Sequence, residues 1–130
     1  MKHTLICLIV FFCPILSFAQ QIVLLEEGRA IKLTIDHVPN AKVGETLSFH
    51  VKYDVYTEDN LVIESESVVK GKVTNKGSNG ELFVKIDQIK DLHGKNIKVR
   101  TYKQHAQPLK VERMQSDYII YVDEGFWFSY

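Results

Sequence analysis

Four of the five histidines, a cluster of carboxylates and a set of aromatic rings are the residues of this 130-residue chain that could do chemistry. Imidazole titrates near neutral pH and is a common metal ligand, so His37, His50, His93 and His105 are the first candidates. No two of them stand at the short spacings of common metal motifs. His50 shares the polar side of its segment with Lys52 and Asp54, and His93 sits among turn residues. Solvated or locally bonded histidines are expected, with no metal site and no cofactor. A hydrolase would need a nucleophile beside a base. There is no Gly-x-Ser-x-Gly, and the only thiols, Cys7 and Cys13, lie near the start of the chain. Ser65 and Ser67 alternate with Glu64 and Glu66, as in a solvated strand edge or turn. No catalytic residue is expected; the enzymatic alternative is a dispersed site drawing on His50, Asp54 and Glu66.

Oxygen donors and aromatic rings remain. Asp54, Glu58, Asp59, Glu64 and Glu66, with the Asn60 amide, could gather around calcium, which takes several oxygen ligands. The EF-hand spacing is absent and Lys52 is close by, so a solvated loop is expected. Tyr53, Tyr56, Tyr102, Tyr118, Tyr121, Phe126, Trp127, Phe128 and Tyr130 could stack on sugar rings or anchor a protein partner. Tyr53 shares the register of an apolar row and is expected in the core. Tyr102, Phe126, Trp127, Phe128 and Tyr130 are the candidates for contact with an envelope protein or a glycan. The stretch from Phe126 to Tyr130 must complete a sheet or be covered by something else.

The elements that would position these groups are strands. Leu47, Phe49, Val51, Tyr53 and Val55 alternate with Thr46, Ser48, His50, Lys52 and Asp54, the period of two of a strand with one buried face. Ile31, Leu33 and Ile35 repeat the pattern, as do Leu82, Val84 and Ile86, and then Ile97 and Val99. Val38-Pro39-Asn40, Glu58-Asp59-Asn60, the glycine-bearing loop Asn75 to Gly80, and Asp91 to Asn96 punctuate these runs as turns. Pro108 breaks the least strand-like piece, Gln104 to Gln115, which reads as a loop leading to a strand near Leu109 to Arg113. Tyr118 to Val122 is continuously apolar and reads as a strand covered on both faces. After the first nineteen residues no segment holds a helical apolar stripe for three turns. The fold class is all-β: a single antiparallel β-sandwich or small β-barrel of about seven to nine short strands.

The start of the chain predicts where it works. Lys2, an apolar run from Leu5 to Leu16, and Ser17-Phe18-Ala19 form a signal-peptide pattern over residues 1–19, cleaved after Ala19. Residues 20–130 are then a single all-β domain in the periplasm or outside the cell, with outer-membrane association an alternative. Lys and Arg number 16, as do Asp and Glu, so loss of Lys2 leaves the remainder one charge from neutral. A neutral chain carries no electrostatic footprint for nucleic acid or an anionic membrane. Without cysteines, packing alone must stabilise the domain.

Several segments follow a known order. They are Ile31-Lys32-Leu33-Thr34, Ala41-Lys42-Val43-Gly44-Glu45-Thr46, Asp54-Val55, Leu61-Val62-Ile63, Lys70-Gly71-Lys72-Val73-Thr74, Gly80 to Asp87, and Asp91-Leu92-His93-Gly94. In this order the chain resembles a β-rich module of exported bacterial envelope proteins. More distantly, Asp54-Val55-Tyr56 with Leu61-Val62-Ile63 is similar to the periplasmic β-barrel domain of VirB10/TrbI-type secretion-channel proteins. Where such modules carry Pro and Gly after the Ile, this chain has Glu64-Ser65-Glu66-Ser67. The resemblance implies a sandwich or barrel in the cell envelope without a known reaction.

The function expected is that of an exported, non-enzymatic module that binds or scaffolds in the bacterial envelope. The alternatives are a small outer-membrane barrel ending in an aromatic strand and an enzyme with a dispersed site. Such barrels need even strand counts of eight or more, each near ten residues. Tyr130 fits an aromatic last residue, but long alternating strands are too few, so membrane insertion is not expected.

Overall fold

The computed structural model describes residues 21–103 and 107–130. The expected leader and His105 lie outside the described residues. Twelve strands follow in order: β1 (Ile22–Leu25), β2 (Ala30–Thr34), β3 (Thr46–Val51), β4 (Val55–Thr57), β5 (Asn60–Ile63), β6 (Val68–Lys76), β7 (Leu82–Lys85), β8 (Gln88–Lys90), β9 (Asn96–Arg100), β10 (Leu109–Val111), β11 (Asp117–Val122) and β12 (Phe126–Ser129). There is no helix among the described residues, and the all-β antiparallel class holds. The count of seven to nine strands is corrected to twelve, because single apolar runs are cut where the chain changes partner.

Eight strands form one antiparallel sheet in the order β10-β7-β6-β3-β2-β11-β9-β8. Its two sides are joined by covalent chain. β7 pairs with β6 through Lys85↔Lys72, and three residues later β8 pairs with β9 through Gln88↔Lys98. Ile86 and Asp87 are the only residues between them. Ile86 is buried, and the Val99 N–H donates to the Asp87 carbonyl at 2.9 Å. One near-continuous extended segment therefore serves both ends of the sheet and curls it on itself. Gly71 permits the crossing: a Cβ there would run into the Val84 and Ile86 side chains. Only a residue without a side chain lets β6 approach this closely.

The curled sheet buries the rows that alternation assigned. Ile31, Leu33, Ile35, Leu47, Phe49, Val51, Leu82, Val84, Ile86, Ile97 and Val99 all point into one core. Phe49 meets Tyr118 edge-on, ring centres 6.0 Å apart, an arrangement aromatic quadrupoles favour. The Tyr118 hydroxyl accepts from the Glu112 N–H at 3.1 Å and donates to the Gln115 carbonyl at 2.7 Å, so its polar end pins the loop before β11. Burial pushes that hydroxyl's pKa up.

Two small units cover the rest of the core. β4 and β5 form a hairpin, and β1 and β12 form a two-stranded ribbon. Thr57 Oγ1 donates to the Leu24 carbonyl at 3.1 Å, and the Leu92 N–H donates to the Val62 carbonyl at 2.8 Å. These bonds tie hairpin to ribbon and hairpin to the β8–β9 turn. Within that turn, buried Asp91 accepts from the His93 and Lys95 N–H groups, each at 2.8 Å.

Two sequence expectations are corrected here. Tyr53 is 58 % exposed rather than buried. β3 ends at Val51, which exchanges backbone bonds with Ser67 and Glu66, and the bend at residues 52–54 turns Tyr53 outward while returning Val55 to the core. The segment Tyr118–Val122 is not covered on both faces. Ile119 is 44 % exposed, because β11 lies inside a sheet whose outer face meets solvent. The turn expected after Ile63 forms without Pro or Gly: Glu66 takes φ 70°, the Ser67 hydroxyl donates to the Glu64 carbonyl at 2.6 Å, and the Ser65 N–H donates to Asp54 Oδ1 at 2.6 Å.

Candidate binding surface

The β1–β12 ribbon sorts the terminal aromatics by strand period. The register is Ile22↔Ser129, Val23↔Phe128, Leu24↔Trp127 and Leu25↔Phe126. Successive side chains on a strand point to opposite faces. Val23, Leu25 and Phe128 go inward and are buried, and Phe126 packs half-buried against the core. Ile22 and Trp127 go outward, 52 % and 63 % exposed. Phe128 is thus a core residue, not a contact residue. Its ring stacks under the His93 imidazole, 5.2 Å between centres and 7° from parallel.

Trp127 overlooks a groove of about 430 Å³ between the ribbon and the β4–β5 hairpin, which Ile22, Leu24, Glu26, Thr57 and Glu58 also line. One wall is apolar and the rim carries two carboxylates. Neither Glu26 nor Glu58 forms an ion pair among the described residues. Glu58 and Asp59, at the tip of the hairpin, both adopt left-handed backbone, φ 49° and 65°. A two-residue hairpin turn of this hand normally calls for Asn-Gly, so the Glu-Asp pair holds Glu58 at the rim against local preference. Beyond the groove, β12 pairs with β1 alone, and its other edge has no strand partner among the described residues.

The remaining candidates scatter. Tyr130 is half-exposed just past β12, where its N–H donates to the Gln21 carbonyl at 3.1 Å. Tyr102 follows β9, away from the groove lining, and its carbonyl accepts from Arg100 Nε at 3.1 Å. His37 and His50 do line one shallow cavity of about 250 Å³ with Asp36 and Ser48. His50 Nδ1, however, lies 3.4 Å from the backbone carbonyl of Glu66 rather than from a carboxylate, and Asp54 is occupied by the Ser65 N–H. No hydrogen bond joins the side chains of His50, Asp54 and Glu66 among the described residues. Nor do three His, Asp or Glu side chains gather there as a metal-binding set.

Sequence reasoning missed the ion pair between Lys52 and Asp117, 2.7 Å apart, with Lys32 at 3.9 Å. The hydrogen bond to Lys52 holds the Asp117 carboxyl below its usual value and raises Lys52. These residues come from a loop and from β11, 65 positions apart, so no local signal could pair them. The lysines of β6 and β7 were also passed over, although alternation alone puts Lys70 and Lys72 on one face of their strand. Comparison with protein-family profiles, with curated proteins and with solved structures gives no match for this chain.

Proposed function

We propose that this chain is an exported, non-catalytic β-module that holds a protein partner in the cell envelope, by strand addition along β12 with Trp127 as the anchor. The observation that carries this function is an edge of β12 without a strand partner among the described residues, beside an exposed indole. An open strand edge supplies a row of backbone donors and acceptors, and an extended segment of another protein can complete it. Tryptophan is enriched among the residues that dominate binding energy, and here it stands next to a groove able to take a partner side chain. The leader pattern of residues 1–19 supports export. The distribution of side chains supports a water-facing barrel over a lipid-facing one: apolar rows fill the interior while Lys70, Lys72, Lys85 and Lys98 face out.

The test is photo-crosslinking in the expressing cell. A photoreactive residue is placed singly at Trp127, at Ile22, or at Met114, a control side chain that is 99 % exposed on a different loop. A discrete protein adduct at the first two positions and none at the third is expected. Equal adducts at all three, or none at Trp127 and Ile22, would sink the proposal. Carbonate extraction of the same cells distinguishes a peripheral protein, which is released, from an inserted barrel.

A further inference from the structure

A second surface lies where β6 parts from the segment that closes the sheet. β6 pairs with β3 over Val68–Lys72 on one edge, but its other edge pairs with β7 only from Lys72 onward. The edge from Val68 to Lys70 therefore faces β8 with no strand pairing. Two adjoining hollows run along this seam. One, of about 370 Å³, is flanked by Lys70, Gln88, Lys90 and Asn96. The other, of about 450 Å³, is flanked by Thr46, Lys70, Lys72, Lys85 and Asp87. Lys70 and Gln88 border both, so the hollows are neighbours.

The charge along this seam is one-sided. Lys70, Lys72, Lys85 and Lys90 are all exposed, against Asp87 alone. Lys85 sits 3.9 Å from Asp87, and Lys70, Lys72 and Lys90 pair with no carboxylate among the described residues. Lys72 and Lys85 are direct cross-strand partners. Like charges placed opposite each other on a sheet destabilise it, and a bound anion would relieve that repulsion. The near-neutral net charge of the chain hides this patch, because the balancing carboxylates lie elsewhere, among them those of the Glu26 and Glu58 groove.

From this arrangement we infer that the seam binds a linear acidic polysaccharide. Lys70 and Lys72, two residues apart on one strand, are about 7 Å apart along its axis, and Lys90 lines the same hollow as Lys70 from β8. A row of cations fits a chain with repeating negative charge better than it fits a single small anion. The Gln88 and Asn96 amides and the Thr46 hydroxyl also line the hollows, groups suited to sugar hydroxyls. Among the described residues no aromatic side chain lines either hollow, so they supply no stacking platform of the kind on which single-stranded nucleic acid is held. The inference does not depend on the β12 edge; the two surfaces share no lining residue.

The test uses protein purified from cells expressing the full chain and four probes: polygalacturonate oligomers, neutral β-glucan oligomers of equal length, phosphatidylglycerol vesicles and an oligodeoxythymidylate. Salt-dependent binding of polygalacturonate, and not of the glucan, is expected. The triple variant Lys70→Gln/Lys72→Gln/Lys90→Gln should weaken it at least roughly tenfold and lower the slope of log K against log salt by about one per lysine removed. Lys42→Gln/Lys95→Gln/Lys110→Gln, an equal loss of charge outside the seam, should stay within about twofold, as should Trp127→Ala. Equal losses in the two triple variants, absence of polygalacturonate binding at low salt, or vesicles or oligonucleotide bound as tightly as the polymer would each overturn the inference. Circular dichroism of both triple variants confirms that the exposed substitutions leave the strands intact.

Discussion

The ribbon groove and the lysine seam are opposite solutions to presenting a surface on the same β-fold. The ribbon groove sits on two strands that belong to no larger sheet, offers an indole and an aliphatic wall, and is rimmed by Glu26 and Glu58. The seam is built into the eight-stranded sheet at the point where it closes, carries no aromatic ring, and is rimmed by lysines. A neutral composition therefore says nothing about local potential: the charges left unpaired among the described residues are carboxylates at one groove and lysines at the other. A scaffold that grips protein with one face and an acidic polymer with the other would need this separation, since a polyanion approaching the ribbon would meet two carboxylates.

The sharpest way to break the contrast within the ribbon is to compare neighbours. Phe128 is buried to 1 % beneath His93, while Trp127, one residue earlier, is 63 % exposed. Phe128→Ala should cost about 3–5 kcal/mol, because it leaves a cavity in a close-packed core. Trp127→Ala should change stability by no more than about 0.5 kcal/mol, as surface substitutions generally do, while abolishing the partner adduct. Urea unfolding of both variants gives the comparison directly. A Trp127→Ala loss as large as that of Phe128→Ala would mean the indole is packed rather than presented.

At the seam the corresponding change is Gly71→Ala. The added methyl meets Val84 and Ile86, both buried, and overpacking of this kind costs about 1–3 kcal/mol. Because Gly71 sets how closely β6 approaches the closing segment, the substitution should also loosen the amides of β7 and β8 in hydrogen exchange more than those of β1 and β12. Uniform loosening of all four strands would show that seam and ribbon are not separate regions of stability.

Much of this architecture was legible in the chain because a half-buried strand writes its two faces as alternation. The rows through Leu33, Phe49, Val84 and Ile97 needed no tertiary information. Tyr53 failed for a physical reason: the apolar alternation runs on past Val51, but the bend at residues 52–54 breaks the register, and that bend is stabilised by partners eleven or more residues away. Phe128 was misread because an aromatic cluster conceals its own period; only the pairing of β12 with β1 decides which rings face out. The lysine seam was invisible for another reason. Lys70 and Lys72 read as an ordinary solvated strand face until the sheet closes and brings Lys85 and Lys90 alongside.

The outer face of the sheet holds one internal contrast to the seam. Lys32 and Lys52 also project there, but Asp117 pairs with both and cancels one of their two charges. Its carboxyl is held below the ordinary 3.8 by the hydrogen bond from Lys52. In the window between the folded and unfolded values the folded state binds fewer protons, so this contribution is complete above the unfolded value and lost as pH falls through the folded one. Lys52 is raised above 10.5 by the same bond, so its share is complete below that value and lost as pH rises through the folded one. Both side chains are about one-third exposed, and the contribution is correspondingly small. The urea midpoint of wild type should exceed that of Asp117→Asn slightly at neutral pH, and the gap should close in strong acid. A gap of constant size across that range would place the effect of Asp117 in packing rather than charge. Asp117→Asn also releases Lys32 and Lys52 as unpaired cations, and polygalacturonate binding then separates two ideas of the seam: affinity that stays put marks a groove of defined position, whereas a marked gain marks a merely cationic face.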